Sequence, residues 1–187
     1  MLENIKVKIN EKKWEGHPRI IVGDASKLPE FEKVTPEILE RYKFRMNKPF
    51  IPRKVFFNYE ATRDTIRHFA EGIGDTNPLF SDEEYAKKTK YGRITAPASF
   101  LYTHQWTMQG GGLTGVHGWY VGADWEWYSP IYIGTKFSSV GIIREQVTKK
   151  GRMAGGKDIY IDYQDIVYLN AESGESLGKQ HCHTVRA

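Results

Sequence analysis

The sequence is poor in cysteine: Cys182 is the only one in 187 residues. One thiol cannot build an internal disulfide framework, and its rarity fits a reducing, cytoplasmic setting. Long apolar runs are also missing. No stretch approaches the roughly 18 residues that a membrane helix needs, and MLENIKVKINEKKWEG at the start has no apolar core of a secretion signal. The expectation is a chain that neither spans a membrane nor is exported. Lysines and arginines exceed acids by only four and form no dense block, so nucleic acid is not an expected partner, whereas a phosphate-bearing small molecule would suit the excess.

Several site signatures are absent as well. GIGD at 72–75 lacks the G-x-G-x-x-G spacing and a preceding strand, so no dinucleotide cofactor is implied. GESLGK at 174–179 is one residue short of a phosphate loop and sits between strands. HCH at 181–183 would place His181 and His183 on one face of a strand and Cys182 on the other, so the three cannot chelate one metal.

What is present describes one globular domain with an N-terminal extension. Hydrophobic residues make up 40% and charged residues 27%. Residues 1–34 are irregular and punctuated by Gly16, Pro18, Gly23 and Pro29. TPEILERYKFRM predicts a helix capped by Thr35, with Pro36 in the first position and Glu37 at the positive end of the dipole. RKVFFNY, 53–59, predicts a strand. A second helix from about Thr62 to Gly72 would bury Ile66, Phe69, Ala70 and Ile73 at helical spacing. Ser81 and Glu84 form the pattern of a capping box for a short helix. Residues 93–108 predict a buried helix capped by Thr95, with Pro97 in its first turn.

After GGGLTG the period changes to two. Trp119, Val121, Ala123, Trp125 and Trp127 alternate with polar neighbours, which places them on one strand face. Three further strands are predicted at 136–148, 157–171 and 176–185, joined by hairpin turns. Successive strands with no helix between them make an antiparallel sheet. The fold class is α+β, with the sheet covering the 93–108 helix.

The loop GIGDTNPLFSDEEYA, 72–86, carries the most chemistry per residue. As turn chemistry, Asp75 bonds its own backbone and Asn77 before Pro78 initiates a turn. The longer stretch HFAEGIGDTNPLFSDEEYAKKTKYGRITAPASF, 68–100, resembles the MaoC-like dehydratase family through Phe69, Ala70, Gly74, Asp75, Asn77, Pro78, Leu79, Asp82, Ala86, Tyr91, Gly92, Ala96 and Pro97. VHGWYVGADWEWYSPIYIGTKF, 116–137, resembles the same family's next strand and turn. The resemblance covers about residues 35–187 and implies a hot-dog fold, a curved antiparallel sheet wrapped around a central helix.

The family's usual activity is reversible hydration of a 2-enoyl thioester, commonly on CoA substrates, with no cofactor or metal. Water must lose a proton as it attacks C3 while C2 gains one, and an enolate oxygen needs a preorganised donor. The family's loop has an Asp, an Asn, a Pro, an aliphatic residue and a His. Here Asp75 and Asn77 match the catalytic positions, while Phe80 stands where His is expected. Phe cannot move a proton. The resemblance therefore implies an acyl-CoA-binding hot-dog subunit that pairs with a His-bearing catalytic subunit, or otherwise with itself. Alternatives are a self-sufficient hydratase or thioesterase using Asp75, with His68, His104 or His117 in support, and a non-catalytic acyl-CoA-binding protein. Ala98 and Ser99 match the helix start where the family places its oxyanion donor, and join Phe80 and Arg93 as substrate-binding candidates. Arg53 and Arg152 are further candidates for the CoA phosphates by charge alone.

Overall fold

A computed structural model describes residues 35–50, 57–104, 118–151 and 155–186. The extension 1–34, most of the strand expected at 53–59, and the last four residues of the helix expected at 93–108 lie outside the described residues.

The first helix, α1 (Pro36–Arg45), starts as its sequence dictates. Thr35 Oγ1 accepts from the Ile38 N–H at 3.3 Å, Glu37 lies in the first turn, and Lys43 and Arg45 lie in the last. Ile38 and Tyr42, four residues apart, bury one helix face against Ile143. A two-residue strand, β1 (Pro49–Phe50), follows. Helix α2 (Arg63–Gly72) opens on a reciprocal pair: Thr65 N–H donates to Thr62 Oγ1 and Thr62 N–H to Thr65 Oγ1. Ile66 and Ala70 are buried as expected, but Ile73 is 52% exposed. The helix ends at Gly72, so Ile73 caps it and leaves the helical face.

Two capping expectations are corrected. Helix α3 (Glu83–Lys87) is capped by Asp82, whose Oδ1 accepts from Glu84 and Tyr85 N–H, and not by Ser81. A carboxylate at the positive helix end outcompetes the preceding hydroxyl. The buried helical segment is a 3₁₀ helix, Ala98–Thr103, that opens at Pro97 with no side-chain cap. Thr95 cannot cap it because the chain is still extended there: Thr95 N–H reaches Leu79 O at 3.4 Å and Ala96 N–H donates to Ile131 O at 2.7 Å. Helical geometry begins only once those two bonds are made.

The rest of the described chain is sheet: β2 (Gly118–Trp127), β3 (Phe137–Lys150), β4 (Asp158–Asn170) and β5 (Ser176–Arg186). All pairings are antiparallel, in the order β1-β3-β4-β5-β2. The inner face carries Phe137, Ile143, Ile166, Tyr168 and Cys182, all buried, and closes over Phe100 and Leu101 of the 3₁₀ helix. Burial of two such side chains is worth about 1.5–3 kcal/mol each. Leu101 fits because position 178 is glycine; a Cβ there would lie 3.0 Å from Leu101 Cδ1 and 2.9 Å from the Glu126 carbonyl oxygen.

One face assignment fails for a local reason. The β2–β5 register slips between Tyr120 and Gly122, so Val121 is an extra, bulged residue. Pairing puts Ala123, Trp125 and Trp127 opposite Cys182, Gln180 and Gly178 of the inner face, but Trp119 opposite Val185 of the outer face. The bulge inverts the alternation, and the five apolar residues do not share a face. The HCH triplet behaves as expected: Cys182 is fully buried while His181 and His183 are half-buried on the outer face. Among the described residues no helix is long and apolar enough to cross a membrane.

On that outer face one ladder of charges crosses four strands. Arg144 Nε donates to Asp165 Oδ2 (2.8 Å), His181 Nδ1 lies 2.8 Å from Asp165 Oδ1, and His181 Nε2 lies 2.7 Å from Glu126 Oε1. Lys179 Nζ stands 3.3 Å from Asp165 Oδ2. Both ring nitrogens face carboxylates, so only the imidazolium satisfies the site. The bond to Glu126 raises the His181 pKa above its ordinary value, against partial burial. Burial opposes ionisation of Asp165, but the bonds from Arg144 and His181 outweigh it and hold its pKa low.

The folded protein thus holds the His181 proton more tightly than the unfolded chain does. That contribution is complete below about pH 6.5 and is lost as pH rises through the folded value. The melting temperature should therefore fall across this window in the wild type. In His181→Gln it should change less with pH, as thermal melts at pH 6 and pH 8.5 would show.

Candidate active site

The loop between α2 and α3 is held by its own polar side chains. Gly74, at φ +72°, turns the chain out of α2, and Asp75 N–H donates back to Ala70 O at 2.8 Å. Asp75 Oδ1 then accepts from Asn77 N–H at 3.0 Å, and Asn77 Oδ1 accepts from Leu79 N–H at 3.0 Å. Asn77 caps the 3₁₀ turn Pro78–Phe80. Asp75 is half-buried and Asn77 exposed, so a carboxylate and a carboxamide are held close together at the protein surface.

Phe80 closes the loop half-buried against the core. Together with Leu79 it packs against the main hydrophobic cluster containing Phe100, Leu101 and Ile94. The loop is tied to the helix-start segment through Thr95 N–H and Leu79 O, and α2 reaches it through Phe69, whose ring meets Phe100 edge-on at 5.5 Å. Ala98 is exposed and Ser99 half-buried at the start of the 3₁₀ helix, where the first N–H groups have no intrahelical partner.

Among the described residues, neither His104 nor His68 fills the place of Phe80. His104 is fully buried. Its Nδ1 lies 2.8 Å from the Asn58 carbonyl, which can only accept, so Nδ1 carries the proton and Nε2, 3.2 Å from Ser139 Oγ, is left as an acceptor. Burial pushes its pKa down to about 4, which makes it a neutral core histidine. His68 is exposed, with Nε2 2.6 Å from Arg67 Nη2. His117, Arg53 and Arg152 lie outside the described residues.

Arg93 is placed apart from the loop acids. Its guanidinium stacks over Tyr132, 3.9 Å from the ring centroid, at the rim of a cleft of about 290 Å³. Asn170, Glu175, Ser129 and Leu177 also line that cleft, and none of Asp75, Asn77, Phe80, Ala98 or Ser99 does. The structure therefore ties the Asp75–Phe80 loop to the segment before the helix start through Leu79 and Thr95, and places Arg93 in a cleft that none of those site candidates lines.

Sequence reading missed a polar aromatic cluster beside the helix start. Trp125 Nε1–H donates to the Tyr102 hydroxyl at 2.8 Å, and the Tyr102 and Tyr120 hydroxyls are 3.1 Å apart. Trp125 is itself stacked between Trp127 (centroids 4.7 Å) and Tyr168 (5.3 Å). Tyr120 reaches the same face as Trp125 only because of the bulge at Val121, which strict alternation cannot reveal.

Comparison with known proteins agrees with this architecture. The family model of the FAS1-like dehydratase domain region matches residues 55–161, more than half of the chain. The chain belongs to this family, within the MaoC-like hot-dog proteins. A UPF0336 protein of Streptomyces avermitilis is 46% identical over 44 residues, 24% of this chain and 29% of that protein. A probable enoyl-CoA hydratase alpha subunit of Thermomonospora curvata is 49% identical over 45 residues, 24% of this chain and 14% of that protein. The matches thus span less than a third of these relatives' own length. Among solved structures, a chain of the ChsH1–ChsH2 complex from Mycobacterium tuberculosis is similar at a TM-score of 0.65 and 16% identity, over 81% of this chain and 96% of that one. The (R)-hydratase PhaJ1 of Pseudomonas aeruginosa follows at 0.53 and 16%, over 72% and 80%. These structural likenesses establish the hot-dog fold of this MaoC-like chain.

The loop's geometry makes a stability prediction. Asn77→Ala removes the acceptor that caps the Pro78 turn and should cost about 1 kcal/mol. Asn77→Asp keeps an acceptor and should cost less, as urea titration of the two variants would show.

Proposed function

We propose that this MaoC-like chain is the acyl-CoA-binding subunit of a 2-enoyl-CoA hydratase or 3-hydroxyacyl-CoA dehydratase, working with a hot-dog subunit that supplies the histidine. The observation that carries this reading is Phe80. By the family resemblance it stands where the relay histidine is expected, and it packs half-buried against the core in a loop that keeps Asp75 and Asn77 in a fixed turn.

Hydration needs one group to take a proton from water and one to supply a proton at C2. Asp75 can hold water or take its proton, and Asn77 can orient it. Neither the phenyl ring of Phe80 nor the buried His104 can complete the relay. Removing one partner of such a pair forfeits the ~10²–10⁴-fold rate gain typical of a general acid or base. Binding is a separate capacity: backbone N–H groups at Ala98 and Ser99 suit a thioester oxygen, and Arg93 is available to a CoA phosphate.

A partner has a surface to meet. Strand β2 ends the sheet order, so one of its backbone edges is unpaired among the described residues. On and beside it, Val121 is 61% exposed, Tyr128 49% and Trp127 44%. A long edge strand bearing exposed aromatic and aliphatic side chains is a template for a second sheet. The similar chain from the ChsH1–ChsH2 complex comes from such a two-component assembly.

Restoring the missing group tests the proposal. Purified Phe80→His should hydrate crotonyl-CoA at least about 10²-fold faster than the wild-type chain, with saturable crotonyl-CoA binding in both. Equal turnover by the two chains would show that Phe80 does not stand in for a relay.

A further inference from the structure

The hydroxyl of Tyr102 has a partner arrangement that leaves a proton unspent. In a 3₁₀ helix side chains three apart eclipse one another, so Ser99 and Tyr102 project from one side of the Ala98–Thr103 segment. Phe100 and Leu101, between them, are fully buried, whereas Ser99 is half-buried and Tyr102 is 37% exposed. Tyr102 is thus the open member of a face that begins at the helix start.

Hydrogen-bond accounting gives this hydroxyl a direction. Two phenols carry two protons, and each oxygen has two acceptor sites. The contact between Tyr102 and Tyr120, at 3.1 Å, uses one proton. Trp125 Nε1, a donor only, fills one acceptor site on Tyr102. If Tyr120 donates to Tyr102, both acceptor sites of Tyr102 are filled and its own proton is free to point outward. Donation into a hydroxyl oxygen strengthens the bond that the hydroxyl makes in turn. The indole that does this stacks on Trp127 and on Tyr168 and lies 4.6 Å, ring to ring, from Tyr102, contacts that hold its orientation. With Tyr120 as the donor, Tyr102 is a neutral donor with no acceptor among the described residues, on the same side of the segment as Ser99.

We infer that Tyr102 is a substrate-anchoring residue whose hydroxyl donates a hydrogen bond to the carbonyl oxygen of a bound acyl thioester, with Tyr120 and Trp125 as its positioning residues. The inference rests on the thioester-binding reading above and adds a side-chain donor to it. A neutral phenol suits this task because it supports a carbonyl or an enolate oxygen without requiring either to be charged.

The test uses the full chain and [1-¹³C]crotonyl-CoA, with the dissociation constant from calorimetry and the thioester carbonyl stretch from isotope-edited infrared spectroscopy. In the wild type the bound carbonyl band should move to lower wavenumber than in water. Tyr102→Phe should return it toward the unbonded value and weaken binding about 3- to 10-fold. Tyr120→Phe should keep most of the shift, because the Tyr102 proton survives; Trp125→Phe should keep part of it. A purely structural role for Tyr102 would change melting temperature but not the band. An unshifted carbonyl in the bound wild type would overturn the inference, as would a shift lost in Tyr120→Phe but kept in Tyr102→Phe. Absence of any crotonyl-CoA binding by the wild type would instead remove the thioester reading itself, and this inference with it.

Discussion

Everything in this fold is organised by the burial of two side chains, Phe100 and Leu101, inside the curve of the sheet. Phe100 meets Phe69 of α2 and lies 6.1 Å, ring to ring, from Phe137 of β3. Leu101 reaches β5 through the space left by Gly178. These contacts fix the 3₁₀ segment relative to α2, and therefore fix the Asp75–Asn77 loop, which leaves the end of α2 and returns to the segment through Leu79 and Thr95. A packed interior tolerates little slack, so the polar groups at the surface inherit its rigidity.

The loop shows how one set of bonds can serve structure and chemistry at once. Asp75 and Asn77 spend one oxygen each on backbone N–H groups, which is ordinary turn formation, and the same bonds fix where both side chains stand at the surface. Phe80 departs from this double use. Its side chain packs against the core and brings no proton-transferring group to the loop. On the proposed reading, binding and catalysis then separate: the chain contributes the thioester site and the reactive imidazole comes from a partner subunit.

Much of this was legible in the sequence because the signals were local. Thr35-Pro36-Glu37 marked α1, and period-two runs marked β3, β4 and β5 to within a residue or two. The failures share a cause, which is competition that a linear pattern does not show. Thr95 had a cap's chemistry but was already held in extended bonds to residues 79 and 131. Ser81 lost its capping place to the neighbouring carboxylate of Asp82. Trp119 left the face of Trp125 because Val121 bulges, and the same bulge brought Tyr120 into reach of Tyr102. The turn chemistry of Asp75 and Asn77 was legible in the loop's letters, but the cleft that Arg93 lines is built with Asn170, Glu175 and Leu177 of the β4–β5 hairpin, which no spacing encodes.

The central claim is that the wild-type chain can hold a thioester yet lacks a complete proton relay. The most direct test is steady-state hydration of crotonyl-CoA by the purified wild-type protein alone, followed as loss of the enoyl-thioester absorbance. The account predicts saturable binding with no hydration above the buffer rate. Turnover by the chain alone, at a rate that falls to background in Asp75→Asn, would contradict it and make this hot-dog protein a complete enzyme.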